Sequence, residues 1–409
     1  MLDRTAVELT QTSKGTDLKR FDILMVSTAD WDNPFWTNKQ HVAAELARRG
    51  YRVLYVESSG NRRPTATARD AGRIWRRLTR GFGPPRKVRD NIWVWSPILI
   101  PWHDKSWIRV INRGLLGVQR SLAQAQAGFK PNILWTYWPL TPLFYDAGAY
   151  DKVIFHSVDD MKTQPGMPRE LMAEAEVRLA REASIIFTTA PHLAEVNKQY
   201  NPNTHYLPNV ADFQHFHRAL ADDTEIPADL AEIPGPRIGF IGAVSAYKMD
   251  LELLRAVADK RPDWSFVLIG DVGEGEPKTD IDHILGAPNI HLLGGRPYAT
   301  LPAYLKGIDV AILPSALNDY TRSMFPMKFF EYLAAGRPVV ATALPALAQH
   351  HHVASITDGP EAFEAALAAA LAGQGPDLEA RLAAAREQTY EIRTGRMLDK
   401  IAQIAGKVR

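Results

Sequence analysis

Short apolar runs alternate along the chain with longer segments of helical periodicity. The first run, 21–27, has the length and composition of a buried parallel strand. After a polar loop, residues 40–49 show the spacing of an amphipathic helix, and Gly50 ends it. The next apolar run, 51–56, completes a strand–helix–strand unit, so the chain begins as an α/β protein.

The same alternation continues in two series. The later apolar runs are 133–135, 152–155, 184–189, 237–242, 265–270, 290–293, 310–314 and 338–341. A polar stretch at 213–236, interrupted by prolines, separates the two series and predicts an interdomain linker. The pattern therefore predicts two Rossmann-like domains, 1–212 and 237–385, with one long helix from Asp377 to about Val408 at the end. Ligands of such sheets bind beyond the carboxyl ends of the strands, which points to the cleft between the domains.

Composition narrows the class of protein without identifying it. The 409 residues are 46% hydrophobic and 23% charged, which is typical of a globular chain, and they include no cysteine. Residues 1–20 have no apolar core of a secretory signal, and no apolar run approaches the ~20 residues of a spanning helix. We therefore expect a cytoplasmic protein.

A basic segment followed by tryptophans suggests a peripheral membrane contact. Between Arg62 and Asp90 the chain carries ten Lys or Arg residues and two Asp, and four tryptophans follow, at positions 93, 95, 102 and 107. Basic side chains attract anionic headgroups and tryptophan favours the headgroup boundary, so this region predicts docking on the anionic inner surface of a membrane. The alternative is a solvated basic helix followed by an ordinary core strand. No nucleic-acid-binding module accompanies the charge, so we expect no nucleic-acid partner.

The segment 323–340 has the strongest chemical signal. Pro326 is suited to a helix start, and Lys328 then projects from the first turn, where free backbone N–H groups also favour an anion such as a diphosphate. Glu331 follows one turn later and could accept hydrogen bonds from hydroxyls. Gly336 predicts the left-handed end of the helix. An ordinary amphipathic helix with a surface lysine would show the same pattern.

This segment resembles the donor-binding signature of glycosyltransferases with the B-type fold. The resemblance rests on Pro326, Lys328, Glu331 and the runs 331–336 and 338–340, and it is closest to bacterial enzymes that build surface polysaccharides and teichuronic-type polymers. It extends to shorter motifs along the chain, which are Asp30-Trp-Asp, Val158-Asp-Asp160, Ile241-Gly-Ala243 and Leu293-Gly-Gly-Arg-Pro-Tyr298.

The resemblance implies roles for both halves. The first domain would bind the acceptor, which we expect to be a polyprenyl-diphosphate-linked oligosaccharide. The second domain would bind a nucleotide sugar, most commonly a UDP-sugar. Lys328 would contact the donor diphosphate and Glu331 the ribose, and residues 386–409 would return to pack on the first domain. Many retaining members carry a glutamate where this chain has Ser323, and the difference favours inverting chemistry.

The run 153–161 contains the candidate base. A strand delivers His156, Asp159 and Asp160 to its carboxyl end, and an inverting transferase needs one base to take the acceptor proton. A neighbouring carboxylate would tend to raise the pKa of that base. A distant likeness to the xanthan-type glucuronosyltransferase makes Asp159 the preferred base over Asp160. Helix capping by either aspartate is the alternative, and His156 is a further candidate for acceptor contact.

Two further groups of residues complete the predicted site. The loop after the first strand offers carboxylates and flat rings for an acceptor sugar and a cation for a phosphate; its candidates are Asp30, Trp31, Asp32, Trp36 and Lys39. Their alternative is packing beneath the domain. On the donor side, glycines after strands allow close backbone approach; the donor candidates are Gly242, Ala243, Lys248, Gly270, Arg296 and Tyr298. No spacing of His, Asp or Glu recommends a metal site, so we expect no cofactor or metal.

Four hypotheses remain open at this stage. The first is an inverting glycosyltransferase, and the second is a retaining enzyme of the same fold that needs no protein base. The third is a sugar-nucleotide epimerase with the same two domains. The fourth, a docking subunit without catalysis, would leave Lys328 and Glu331 without a role.

Overall fold

The computed structural model describes residues 22–33, 36–58, 81, 83–100, 102–273 and 279–405. All structural statements below concern these residues. The basic positions between Arg62 and Arg80, on which the predicted membrane contact partly depends, lie outside them.

The first half of the chain forms a sheet whose strands follow the predicted apolar runs. In the described residues its strands are β1 Asp22–Val26, β2 Arg52–Val56, β3 Arg86–Arg89, β4 Ile92–Trp95, β5 Ile133–Thr136, β6 Lys152–Ser157, β7 Ile185–Thr188 and β8 Thr204–Tyr206. Their spatial order is β3-β4-β2-β1-β5-β6-β7-β8. Every neighbouring pair is parallel except β3 with β4. Parallel strands need crossover connections, and helices supply most of them.

The helices of this half cover both faces of the sheet. They are α1 Asn38–Arg48, α2 Ser106–Ala127, α3 Thr141–Phe144, α4 Arg169–Glu182 and α5 Pro191–Lys198. Side chains of β1 alternate between two cores: Ile23 and Met25 pack with α1, whereas Leu24 and Val26 pack with α2 and α4. The first domain is thus a three-layer α/β unit.

The second half forms a six-stranded, fully parallel sheet of order β11-β10-β9-β12-β13-β14. Its strands are β9 Arg237–Ile241, β10 Ser265–Ile269, β11 Ile290–Leu292, β12 Val310–Leu313, β13 Val339–Thr342 and β14 Ser355–Thr357. Its helices are α8 Leu251–Lys260, α9 Asp282–Leu285, α10 Leu301–Lys306, α11 Asp319–Arg322, α12 Lys328–Ala334, α13 Pro360–Leu371 and α14 Leu378–Arg386. The predicted fold class, two Rossmann-like α/β domains, is confirmed.

The stretch 213–236, predicted as a linker, is folded against the second domain. It contains α6 Phe213–His217 and α7 Ala228–Ala231. Phe216 and Leu230 are fully buried in the same core as the strands and helices of the second half. The prolines that suggested a linker therefore separate short helices.

The prediction of one continuous final helix is wrong. The chain forms α14 and then α15 Tyr390–Ala405, with a break at residues 387–389. At the break the Ala211 amide donates to the Gln388 carbonyl at 3.0 Å, so the chain pairs with the first crossover between the domains. Helix α15 then packs on α1, and Arg48 pairs with Glu391 at 2.8 Å. The expected return of residues 386–409 to the first domain is confirmed for the described part of that segment.

The tryptophans of the predicted membrane contact divide into two groups. Trp95 is buried in β4, and Trp93 packs edge-on against Phe129, so both belong to the core rather than to a lipid surface. Trp102 and Trp107 are exposed. No helix in the described ranges is long and apolar enough to cross a membrane.

Candidate active site

The carboxyl ends of the two sheets face each other across a cleft, and side chains from both halves meet there. Asp159 lies just after β6, and Lys39 lies in the first turn of α1. Their charged atoms, Lys39 Nζ and Asp159 Oδ2, are 3.9 Å apart. From the second half, the Tyr320 hydroxyl donates to Asp159 Oδ1 at 3.5 Å. Asp159 therefore holds contacts to both domains.

Lys39 is buried although it lies at the cleft. Burial lowers the pKa of its ammonium group, Asp159 opposes that effect, and Lys248 from the second half adds to the lowering. The Lys39 Nζ also lies 5.8 Å from the centre of the Tyr137 ring. Lys248 is half-buried, with its ammonium 5.2 Å from the Tyr247 ring centre. Two amines thus approach one region of the cleft from opposite domains.

Asp160 points away from this constellation. It is buried, and its Oδ1 pairs with Lys162 Nζ at 2.9 Å. Lys162 also pairs with Glu176 at 3.0 Å, and burial raises the pKa of the Glu176 carboxyl. Asp160 therefore belongs to a buried ion cluster that fixes the loop after β6, whereas its neighbour Asp159 is partly exposed to the cleft.

Two predicted acceptor contacts are corrected by burial. His156 is 0% exposed and stacks on Tyr137 with ring centres 4.7 Å apart. Burial, together with Arg393 and Lys39, holds the pKa of His156 well below its usual range. Trp31 is buried against Trp36 and Tyr55, each at 5.2 Å. Both side chains thus pack as core residues, Trp31 with 6% exposure, and an acceptor contact by either stays a prediction that its burial does not favour.

The rest of the loop after β1 stays at the domain surface. Asp32 pairs with Arg86 at 2.7 Å, which ties the loop to the antiparallel edge strand β3. Trp36 is half-buried and lies beneath the Arg89 guanidinium at 4.5 Å. Asp30 accepts from the Gln40 amide through its backbone carbonyl at 3.0 Å. These contacts hold the loop beside Lys39, so the acceptor role of Asp30, Asp32 and Trp36 stays a prediction.

On the donor side, Lys328 and Glu331 form one ion pair within a single helical turn. Lys328 is the first residue of α12, and its Nζ lies 2.9 Å from Glu331 Oε2. The Glu331 side chain is 5% exposed and the Lys328 side chain 25%. Gly336 has the left-handed φ of 72° that was predicted for the helix end. The lysine therefore faces the cleft above a buried carboxylate.

An aromatic stack beside this pair joins the two domains. Tyr298 stacks on His215 with ring centres 4.2 Å apart, and His41 of α1 stacks on Tyr390 at 4.1 Å. The two stacks approach each other through His41 and Tyr298, at 6.3 Å. Burial and nearby cations, including Lys328, lower the pKa of His41 to about 3. Sequence patterns predicted only Tyr298 of this group.

The glycines of the second domain allow close backbone approach. A Cβ on Gly270 would lie 1.8 Å from the Gly242 carbonyl oxygen, so only glycine fits there. Ala243 follows Gly242 at the same strand end. Arg296, in contrast, is held by the linker helix α7, because its guanidinium pairs with Asp229 at 2.6 Å and donates to the Tyr304 hydroxyl at 2.7 Å. A donor contact by Arg296 would have to compete with that pair.

A buried chain of polar contacts, invisible in the sequence, fixes the domains beside the cleft. Arg393 of α15 donates to Asn38 at 2.5 Å, and Asn38 donates to Asn209 at 2.6 Å. Asn209 in turn donates to the Phe325 carbonyl at 2.6 Å, in the loop that leads to α12. These residues come from four distant segments, so no local spacing could have identified them.

Ser323 is the residue at which the sequence departs from the resemblance described above, which implied a glutamate in many retaining enzymes. Its side chain is 1% exposed, and its hydroxyl has no hydrogen-bond partner among the described residues. Within those same residues, no group of three or more His, Cys, Asp or Glu side chains has the arrangement of a metal site.

Part of the chain matches a known protein family. Residues 235–388 match the family "Glycosyl transferases group 1". The chain is 30% identical over 239 residues to TuaH of Bacillus subtilis strain 168, which is described as a teichuronic acid biosynthesis glycosyltransferase. That match covers 55% of this chain and 58% of the relative, so the chain spans little more than half of the relative's length.

Solved structures match over nearly the whole chain. Sucrose-phosphate synthase from Thermosynechococcus elongatus superposes with a TM-score of 0.68 at 15% identity, covering 95% of this chain and 100% of that one. Anabaena Alr3699/HepE, solved in complex with UDP, gives 0.65 at 15% identity, covering 94% and 100%. At such identities the likeness defines the fold. The chain therefore has the B-type glycosyltransferase fold, and its residues 235–388 match the group 1 glycosyl transferase family.

Proposed function

We propose that this protein is a glycosyltransferase that moves a sugar from a UDP-sugar to a lipid-linked oligosaccharide in surface-polysaccharide synthesis. The observation that carries the proposal is that the first domain has a partly exposed carboxylate, Asp159, paired with Lys39, and the second has a partly exposed lysine, Lys328, paired with Glu331. The first supplies a proton acceptor and the second a cation for a diphosphate. The teichuronic acid description of the 30% identical relative supports the polymer class.

The donor half is suited to a nucleoside diphosphate. Lys328 and Lys248 would offset the diphosphate charge, and no metal is needed in this proposal because two ammonium groups serve that purpose. Glu331, held by Lys328, would accept hydrogen bonds from the ribose hydroxyls. Gly242, Ala243 and Gly270 would allow backbone amides to approach the phosphates or the base.

The acceptor half would perform the proton transfer. Asp159 would take the proton from the acceptor hydroxyl while the oxygen of that hydroxyl attacks the anomeric carbon of the donor sugar. The new carbon–oxygen bond forms as the bond to the diphosphate breaks, UDP leaves, and the configuration inverts. Lys39 would hold the Asp159 carboxylate in place through their 3.9 Å contact. The Tyr320 hydroxyl orients the carboxylate from the donor side.

The acceptor is proposed to be linked to a polyprenyl diphosphate, with the enzyme in peripheral contact with an anionic membrane surface. Asp30, Asp32 and Trp36 would bind acceptor sugars, and Lys39 together with Lys248 would favour an acceptor or donor phosphate nearby. The support is the position of this loop beside Asp159, at the carboxyl end of the first sheet.

The test begins with the donor. A screen of nucleotide sugars by thermal shift identifies which one stabilises the fold, since a ligand of the folded state raises the melting temperature by mass action. The selected donor is then incubated with and without a lipid-linked acceptor, and free UDP is measured together with the product's anomeric configuration by NMR. We expect acceptor-dependent UDP release with inversion. Retention would favour the retaining mechanism, and a changed sugar without UDP release would indicate an epimerase.

A further inference from the structure

Helix α2, Ser106–Ala127, exposes a stripe of large apolar side chains to solvent. Six large apolar side chains on it are exposed, which is a majority of those in the helix; they are Trp107, Val110, Ile111, Leu115, Val118 and Leu122. We call this set the α2 outer face. Val110 is 73% exposed, and Trp107 and Val118 are each 63% exposed. At 100° per residue they form one continuous stripe.

The inward side of the same helix combines the buried apolar residues Ile108, Leu116 and Ala123 with two amide side chains. Asn112 donates to the Ile100 carbonyl at 2.8 Å and accepts from the Ile100 amide at 2.9 Å. Gln119 makes the equivalent two contacts with Ile98, at 2.9 and 3.0 Å. These amides fix the segment before α2 to the helix. Because the core contacts of α2 come from its inward side, the α2 outer face is a second apolar surface, and an exposed apolar surface of this size indicates an apolar partner.

The charge of α2 indicates what that partner is. The charged residues within the helix are Arg109, Arg113 and Arg120, and all three are basic. Lys105 caps its beginning with a further positive charge, and its neighbour Trp102 is also exposed. Apolar side chains with tryptophan at one end, accompanied by four cations and one acidic neighbour, Asp104, which pairs with Lys105 at 4.0 Å, match the chemistry of an anionic lipid headgroup region.

The position of α2 connects this surface to the cleft. Strand β4 is parallel to β2, so it ends at the same sheet edge as the strands that precede the active-site loops. The segment after β4 leads directly into α2, which places Trp102 and Trp107 towards the cleft edge. His103 anchors the segment there, because it is buried against Phe144 and Trp138 at 5.4 and 6.1 Å.

We propose that α2 docks in the plane of an anionic membrane surface, with the α2 outer face inserted among the headgroups. The cleft edge of the first domain then faces the lipid, so that a lipid-linked acceptor can reach Asp159 without leaving the bilayer. This last step rests on the proposed function, whereas docking itself does not.

The test measures binding of the full chain to vesicles by flotation. Vesicles consist of phosphatidylcholine alone or mixed with phosphatidylglycerol, at low and high salt. We expect binding to the anionic vesicles that weakens as salt rises. The triple variant Val110→Gln, Val118→Gln, Leu122→Gln removes apolar surface that makes no core contact, and it should lower the partition coefficient about 10–100-fold.

A matched control separates this face from apolar surface in general. Ile226, Leu285 and Leu378 are 38%, 43% and 44% exposed on the second half of the molecule. Their replacement by glutamine should leave vesicle binding within about twofold, because these residues lie outside the α2 outer face. Arg113→Gln should weaken binding to anionic vesicles without affecting the melting temperature.

Two results would overturn the proposal. One is unchanged vesicle binding by the α2 triple variant. The other is sedimentation velocity showing a wild-type dimer that the same variant converts to monomer without any vesicle binding, since α2 would then be covered by a second copy. Transfer to a water-soluble acceptor should be equal in wild type and variant. Loss of vesicle binding therefore supports docking even where no transfer is detected in either protein, which would count against the proposed function alone.

Discussion

Each half of the cleft has one lysine–carboxylate ion pair, but the more exposed member is the carboxylate in the first half and the lysine in the second. In the first half, the Asp159 side chain is 30% exposed and its partner Lys39 only 10%. In the second half, Lys328 is 25% exposed and its partner Glu331 only 5%. In each pair the more buried member holds the more exposed one in place. Under the proposed function the first half would therefore supply a base and the second a cation, and transfer of a sugar from a diphosphate uses both.

The largest expected effect on turnover comes from replacing the candidate base. Asp159→Asn keeps the shape of the side chain but removes the proton acceptor, so turnover should fall by about 10²–10⁴-fold while donor affinity persists. Steady-state rates and titration calorimetry with the donor measure the two quantities. Asp160→Asn is the matched control, because its carboxylate is buried against Lys162, and its main effect should be on stability. Near-normal turnover by Asp159→Asn would move the assignment to a retaining mechanism.

Replacing the candidate diphosphate-binding lysine should change donor affinity and leave the chemical step unchanged. Lys328→Ala should weaken donor binding by about 1.5–3 kcal/mol, the range for hydrogen bonds to charged groups. Lys260→Ala removes an exposed lysine of α8 that pairs with Glu364, and it should leave donor affinity unchanged. Titration calorimetry compares the two variants, with melting curves to check that each is folded. If Lys328→Ala binds every donor as tightly as wild type, the cation role is wrong.

The first half also contains a buried histidine whose titration should make the fold acid-sensitive. Because the pKa of His156 is held well below 6.5, the unfolded chain binds a proton at pH 5 and the folded one does not. Stability should therefore fall as pH decreases from 7 to 5, by about 2 kcal/mol from this side chain.

Urea unfolding at both pH values measures this difference. His156→Phe keeps a flat ring against Tyr137 and should reduce the loss. His192→Gln alters a solvent-accessible histidine and should not. An identical pH dependence in wild type and His156→Phe would contradict the buried, neutral state of His156.

The smallest expected effect concerns the contact between the two halves. Tyr320→Phe removes the 3.5 Å hydrogen bond to Asp159, which is worth about 0.5–1.5 kcal/mol, so turnover should fall about 2–10-fold. Tyr150→Phe is the control, because it removes a hydroxyl that accepts from Arg120 before the amino end of β6. Equal turnover by Tyr320→Phe and wild type would contradict a role of the Tyr320 hydroxyl in orienting Asp159.

The sequence alone determined the features that depend on neighbouring residues. Apolar runs predicted most of the strands, and helical spacing predicted helices such as α1 and α12, since each pattern is set by the period of its own element. Strands β3, β8 and β14 and the long helix α2 were not predicted. The pair Lys328 and Glu331 could be predicted because three residues along a helix lie on one face. The end of α12 at Gly336 was equally local.

Which side chains reach the cleft depends on the tertiary structure. His156 lies within β6 and Asp159 and Asp160 follow it, yet they end in a core, a cleft and a buried ion cluster, because alternation along the strand and the path of the following loop direct them differently. Tyr320 and the chain from Arg393 to Phe325 depend on contacts between distant segments. The outward apolar side of α2 was likewise hidden, since helical periodicity shows that a helix has an apolar face but not which way it is turned.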